Sequence, residues 1–245
     1  MQPDVLSPRE WLERQPPEGS EQLFAIFSNA SAAAPYKAWQ GSGPLHAPSP
    51  IWANTAYAEW EPVMPYVGIV AAGSAFLEWV ATTESRDWGW LAVSSSTQEE
   101  LVEHLRSLTQ VLLPNGSAVF FRFWDGRHLL PILQSAEVDA AQLLPGVLRC
   151  LINGQSLEVG GGSEKTPGFF PWWEVSATLL EQLAAQSDTT LVSNLLKWLS
   201  EDRPDLFEAF SEDVLRHKVA IFLEEPDLPP APKSALVDYL ISELD

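Results

Sequence analysis

Short apolar runs bounded by polar residues recur through the first 150 residues and predict buried β-strands. The clearest runs are residues 23–27, 66–71 and 88–93. Amphipathic helical stretches alternate with them, and two of these stretches begin with a capping box, at residues 7–10 and 97–100. Because strands that alternate with helices favour a sheet with helices on its faces, we expect an α/β fold.

An Asn-Gly pair, Asn115-Gly116, separates two further apolar runs at residues 111–113 and 118–124. This pair is the strongest short-range signal for a β-hairpin, because both residues tolerate a positive φ. Such a hairpin would make the sheet mixed rather than purely parallel. Residues 147–152 and 156–159 are expected to add a second hairpin at the edge of the sheet.

The composition changes after residue 150. Residues 151–175 hold the expected edge hairpin and a connecting loop rich in glycine and aromatic residues, and helical periodicity recurs through residues 176–245. The expected fold class is therefore α/β: an N-terminal lobe (residues 1–150) with a mixed β-sheet flanked by helices, plus a smaller all-helical C-terminal lobe. With 17 acidic and 6 basic residues beyond residue 150, the helical lobe concentrates the acidity.

The chain of 245 residues carries 33 acidic and 14 basic residues, a formal net charge of −19 at pH 7. This charge repels phosphate backbones and anionic membranes, so no nucleic acid or membrane partner is expected; it suits plain solubility or a partner with a basic patch. No targeting signal or membrane-spanning stretch is visible, which favours a cytoplasmic location. The single cysteine, Cys150, lies in an apolar run and predicts a buried core thiol.

No catalytic constellation emerges from the sequence. The four histidines lack metal-ligand spacing, and His104, beside Glu103, is expected to be solvated. Acidic pairs are adjacent in the chain, so their side chains do not face each other on a helix. The glycine-rich run at residues 160–166 departs from a phosphate-binding loop at Val159 and Glu164. We therefore expect no enzyme activity, no cofactor and no metal.

Large aromatic side chains are the remaining candidates for function, since the chain holds 11 Trp. A cluster of them follows the glycine-rich run, at Phe169, Phe170, Trp172 and Trp173. If exposed, these residues would anchor a protein partner, because large aromatics dominate interface hot spots. The alternative is a hydrophobic plug at the place where the helical lobe docks on the sheet lobe.

One part of the chain resembles a known family. Residues 88–93, the helix expected over 98–108, the Asn115-Gly116 turn and the run 120–129 are similar, in type and order, to the adaptor/chaperone family of bacterial type VI secretion. The resemblance covers residues 22–150. Its signature residues are Trp88, Gly89, Phe121, Arg122, Phe123, Trp124, Asp125 and Arg127. The family pattern has tyrosine and proline where this chain has Trp124 and Gly126, and both departures are expected to be tolerated.

The signature has a structural meaning before a functional one. In a strand, Phe121 and Phe123 would face one side of the sheet, and Arg122 and Trp124 the other. Arg122 and the second arginine of the signature would each pair with a carboxylate, and Asp125 would cap the helix that follows. These contacts favour buttressing of the fold over binding of a ligand.

The resemblance implies a cytoplasmic adaptor that binds a secreted effector and loads it onto the spike protein of the type VI apparatus. The sheet lobe would support the contact with the spike, and the acidic helical lobe, with residues 169–173, would select an effector through a basic segment. Two alternatives stay open. One is an immunity protein that neutralises a toxin, and the other is a small-molecule enzyme on an α/β scaffold.

Overall fold

The computed structural model describes residues 5–161, 170–223 and 232–243, apart from the side chains at 186–190, 213 and 232. The chain divides into two compact units, Met1–Ala177 and Thr178–Asp245. The elements of the first unit are α1 (Pro8–Arg14), β1 (Gln22–Ser28), α2 (Pro35–Gly41), β2 (Ser49–Pro50), β3 (Pro65–Ile69), α3 (Ala75–Thr82), β4 (Gly89–Ser94), α4 (Gln98–Ser107), β5 (Gln110–Leu112), β6 (Ala118–Phe120), α5 (Gly126–Gln134), α6 (Ala140–Leu143), β7 (Val147–Ile152) and β8 (Gln155–Glu158).

Six strands form one sheet in the order β2-β3-β1-β4-β7-β8. The α/β fold class with a helical C-terminal part is confirmed, but the expectation of a mixed sheet is wrong, since every neighbouring pair is antiparallel. The expectation of parallel pairing fails at the centre of the sheet, where β1 lies between β3 and β4 and pairs antiparallel with both. The expected edge hairpin is present as β7 and β8.

The hairpin at the Asn-Gly pair is also present, as β5 and β6, but it forms a separate two-stranded sheet. Each of its strands is three residues long, so it offers few backbone groups to a wider sheet. Only Gly116 of the pair takes a positive φ, of 80°. Its amide donates to the carbonyl of Leu113 at 2.8 Å, which closes the turn.

The two central strands are enclosed on both faces. Every residue of β4 is buried, and so is every residue of β1 after the first, which fits their unbroken apolar sequences. Aromatic rings fill the core against β1: Phe27, Trp39 and Phe76 lie with ring centroids 5.1–5.8 Å apart. Contacts between rings at these distances add to the free energy gained from burial.

A buried arginine joins α1 to the sheet. The guanidinium of Arg149, on β7, donates to the carbonyl of Gln15 at 2.6 Å and lies 5.6 Å from the ring of Trp11. Trp11 in turn donates from Nε1 to the hydroxyl of Ser156 at 3.0 Å. The position of α1 is therefore set by polar contacts from β7 and β8 as well as by apolar packing.

The second unit is helical throughout its described part. Its helices are α7 (Ala177–Asp202), α8 (Pro204–Glu208), α9 (Glu212–Leu223) and α10 (Pro232–Ser242). They enclose a core of their own, made by Val192, Leu195, Leu196, Leu199, Leu206, Leu215, Val219, Phe222, Leu236 and Leu240. These side chains recur at helical spacing along α7, α9 and α10, as the sequence predicts.

Candidate protein-binding site

The signature run after β6 forms a turn, and the strand expected there is absent. The amide of Asp125 donates to the carbonyl of Arg122 at 3.0 Å, so the chain reverses before α5 begins. Phe121, Phe123 and Trp124 are all buried. The expected two-faced arrangement is therefore wrong, because Trp124 is buried like the two phenylalanines and its ring centroid lies 5.1 Å from that of Phe123.

The carboxylate of Asp125 lies at the centre of this turn and is fully buried. Arg127 donates to it from Nε at 3.0 Å and from Nη2 at 2.8 Å, and its backbone amide donates at 3.0 Å. Arg122 approaches the same carboxylate to 3.1 Å through Nη2. Both expected arginine–carboxylate pairs thus exist, and the residue that caps α5 supplies the negative charge for both.

A second carboxylate, Asp87, extends the network to the loop before β4. Nη2 of Arg127 lies 3.3 Å from its Oδ2, and the hydroxyls of Ser31 and Ser85 donate to its Oδ1 at 2.7 and 2.6 Å. Partial burial raises the pKa of Asp87, but the hydrogen bonds from Ser85 and Ser31 and the charge of Arg127 outweigh burial and hold that pKa below its ordinary value. Arg127 therefore joins two loops through two carboxylates.

The other signature residues also serve the packing. Trp88 is buried, with its ring centroid 5.9 Å from that of Phe76 and 5.7 Å from that of Trp79. Gly89 has a φ of 147°, and a Cβ there would overlap the carbonyl oxygen of Ile26 on the neighbouring strand. Glycine is thus required at the start of β4 by both conformation and space.

Two titratable groups of the first unit have pKa values that their surroundings shift. Burial and the charges of Arg122 and Arg127 lower the pKa of His128, although Asp125 acts in the opposite direction. Cys150 is buried as the sequence predicts, and burial raises the pKa of its thiol far above the ordinary value. Within the described residues, no group of three His, Cys, Asp or Glu side chains could hold a metal ion.

His104 differs from its expectation, because it is buried and makes a hydrogen bond inside the fold. Its Nε2 lies 2.8 Å from the carbonyl oxygen of Leu143, and its ring centroid lies 5.9 Å from that of Trp172. Burial lowers the pKa of His104, and the hydrogen bond to the carbonyl offsets only part of this effect. The expectation of a solvated His104 is therefore wrong, although the adjacent Glu103 is exposed.

The aromatic cluster that the sequence proposes as a partner anchor is divided by the structure. Phe170 is 49% exposed, whereas Trp172 and Trp173 are half-buried. Trp172 donates from Nε1 to the hydroxyl of Ser107 at 2.9 Å. Phe169 lies outside the described residues. Of the described members, Phe170 is therefore the side chain that solvent reaches most, and its role as an anchor stays a prediction.

Trp173 of this cluster lies next to the signature. The ring of Trp173 lies 5.4 Å from that of Phe121. The carbonyl of Trp173 accepts from the amide of Leu112 at 2.9 Å, and the amide of Val175 donates to the carbonyl of Leu112 at 2.8 Å. The segment after the glycine-rich run thus pairs with β5 and belongs to the first unit.

A second group of aromatic residues was not expected from the sequence. Tyr57, Trp60 and Phe120 have ring centroids 5.1–5.6 Å from one another, and all three lie over the buried ring of Trp52. We call Tyr57, Trp60 and Phe120 the aromatic platform. In the sequence, the one sign of this platform is the density of aromatic residues between positions 52 and 60. Phe120 comes from a distant part of the chain, so the sequence does not connect it with them.

The geometry defines an α/β protein whose polar signature supports two loops and whose first unit exposes several large aromatic side chains. None of the described helices is both long enough and apolar enough to cross a membrane.

A model of the family described as "Domain of unknown function (DUF4123)" matches residues 23–143, just under half of the chain. This family is linked with type VI secretion. The match confirms the family-level link with type VI secretion that the resemblance over residues 22–150 implies. No curated protein and no solved structure matches the chain.

Proposed function

We propose that this protein is a cytoplasmic adaptor that binds a type VI secretion effector and loads it onto the spike protein, and that it transforms no substrate. The observation that carries the proposal is the match of residues 23–143 to a family linked with type VI secretion. The matched segment contains every signature residue and the whole aromatic platform.

The contacts of the signature support a protein-binding role over a catalytic one. The charges of Arg122 and Arg127 are balanced by the carboxylates of Asp125 and Asp87, and these contacts position the turn before α5. A catalytic site needs polar groups that converge on a space for substrate, and its titratable residues hold pKa values suited to proton transfer. The large exposed aromatic side chains are instead the type of residue that contributes most to protein interfaces.

We assign the two partners to different parts of the chain. The first unit supports the contact with the spike. The acidic helical unit selects the effector, because its residues 178–245 carry 14 acidic and 5 basic side chains, which favour a basic segment of the partner. Phe170, exposed at the end of the first unit, contributes an apolar anchor to the contact with the effector.

The proposal is tested by co-expressing the full chain with the effector and the spike protein encoded beside its gene, followed by affinity purification on the adaptor. We expect both partners to be retained and the soluble fraction of the effector to rise. Absence of a complex together with unchanged effector solubility would overturn the proposal. Protection of cells from the effector without any spike binding would also overturn it, in favour of an immunity protein.

The anchor role of Phe170 is tested in the same system with Phe170→Ala. We expect effector retention to fall about tenfold, the loss typical of an aromatic interface anchor. Leu45→Ala is the matched control, since Leu45 is also apolar and is 88% exposed. Equal effector retention by the two variants would remove Phe170 from the interface.

A further inference from the structure

The aromatic platform exposes two large aromatic rings to solvent. Trp60 is 46% exposed and Phe120 is 42% exposed, whereas Trp52 beneath them is buried. Trp60 and Phe120 stack with an interplanar angle of 27° and a centroid separation of 5.6 Å. Contiguous exposed aromatics of this kind mark protein-interaction surfaces more often than isolated exposed side chains do.

Hydrogen bonds within the loop and beneath it support the loop that carries Tyr57 and Trp60. Consecutive turns run through it: the amide of Thr55 donates to the carbonyl of Trp52, that of Ala58 to Thr55, and that of Trp60 to Tyr57, at 3.0–3.2 Å. Below the loop, Nε1 of Trp52 donates to the hydroxyl of Thr109 at 3.0 Å. Because these bonds order the loop in advance, binding costs less conformational entropy.

The charges beside the platform determine which partner fits it. Glu59 and Glu61 flank Trp60, both are exposed, and neither forms an ion pair with a described residue. The sequence holds no lysine or arginine between Lys37 and Arg86. An apolar segment bordered by lysine or arginine would therefore place its aliphatic side chains on the rings and its charges near two carboxylates.

We infer that the aromatic platform is the docking surface for the spike protein, and that it binds an apolar segment of the spike bordered by basic residues. This inference rests on the proposed function, in which the first unit supports the spike contact. It adds the residues that make the contact and the chemistry of the segment that they bind.

The test measures the affinity of the purified full chain for the spike protein and, separately, for the effector. Trp60→Ala and Phe120→Ala should each weaken spike binding about tenfold or more, as for hot-spot aromatics, and leave effector binding unchanged. Leu45→Ala is the matched control, because Leu45 is an exposed apolar residue of the first unit that does not belong to the platform. Circular dichroism and gel filtration verify that each variant is folded.

The charge component is tested with the double variant Glu59→Gln/Glu61→Gln. We expect weaker spike binding at low salt and a smaller salt dependence than in the wild type, because two attractive charges are removed. Glu137→Gln, a change at an exposed carboxylate on another segment, is the control and should leave both quantities unchanged.

The possible outcomes separate this inference from the proposed function. Loss of effector binding with intact spike binding in the platform variants would overturn the assignment to the spike, and unchanged binding of both partners would overturn the docking surface itself. A wild-type chain that binds neither partner would instead overturn the proposed function. If a variant does not fold, the inference is tested by amide hydrogen exchange of the wild type with and without the spike protein. Bound spike should protect residues 52–64 and 118–120, and absence of protection there would contradict the inference.

Discussion

At the residue scale, Asp125 receives most of the polar contacts of the signature. Its role as a helix cap and the pairing of both arginines with a carboxylate were predictable from local sequence, and both are confirmed. The sequence did not reveal that one buried carboxylate serves both arginines. Nor did it show that Arg127 also reaches Asp87, because 40 residues separate the two along the chain.

Replacement of Asp125 by asparagine should lower the free energy of unfolding by about 2–4 kcal/mol. Asparagine retains an oxygen for the amide of Arg127 but removes the charge that faces the two arginines. Urea denaturation measures the difference. Asp139→Asn is the control, because Asp139 caps α6 in an exposed position and asparagine caps a helix about as well. The explanation fails if the two variants lose equal stability.

Replacement of Gly89 by alanine should destabilise the first unit by at least about 3 kcal/mol, because strained backbone and steric overlap with the carbonyl of Ile26 act together. Thermal or urea unfolding provides the measurement. Gly73→Ala is the matched control: a Cβ there meets no atom within 4 Å, so its effect should be close to zero. A Gly89→Ala protein as stable as the control would show that β1 and β4 can separate at low cost.

At the scale of elements, the sequence predicted correctly those features that depend on a few neighbouring residues. Both capping boxes are formed, by Ser7 with Glu10 and by Thr97 with Glu100. The buried strands lie where the apolar runs are. The signature run was assigned to a strand in error, because apolar residues in a buried turn follow the same pattern as those in a strand. The prediction of a mixed sheet was also wrong, because strand direction depends on which strands become neighbours in the sheet.

The burial of His104 on α4 predicts a pH dependence of stability. Since burial lowers its folded-state pKa below the ordinary 6.5, the unfolded chain binds more protons as the pH falls below about 6.5, and stability is lost there. His104→Gln, which retains a donor for the carbonyl of Leu143, should therefore lose less stability than the wild type between pH 7 and 5. Urea unfolding across this range measures the slope.

His46→Gln is the matched control for this prediction, because His46 is an exposed histidine. It should leave the pH dependence close to that of the wild type. If His104→Gln shows the wild-type slope, then another group causes the loss of stability at low pH.

At the scale of the whole molecule, charge is the dominant property. The net charge of −19 is spread over a chain with a core in each of its two units. Most of the ion pairs among the described residues have at least one exposed member, as in the pair between Arg9 and Glu13, and such pairs contribute little. From the net charge we therefore expect repulsion among carboxylates to outweigh the attraction in exposed pairs.

Added salt should consequently stabilise the protein. Raising NaCl from about 10 to 500 mM shortens the Debye length from roughly 30 to below 10 Å and screens the repulsion. We expect the melting temperature to rise by a few degrees, equivalent to about 1 kcal/mol. Calorimetry gives the value, and KCl in place of NaCl controls for binding of a specific cation. A fall in melting temperature would mean that attractive pairs dominate.

A resemblance to a family indicated the link with type VI secretion, whereas local patterns and composition established the helix caps, the positions of the buried strands, the α/β class and the acidity. Each of these depends on residues close together in the chain or on composition. The tertiary structure alone decided the antiparallel order of the sheet, the burial of His104, and the assembly of Trp60 with Phe120. These features depend on contacts between segments far apart in sequence, and periodicity carries no information about which distant segments meet.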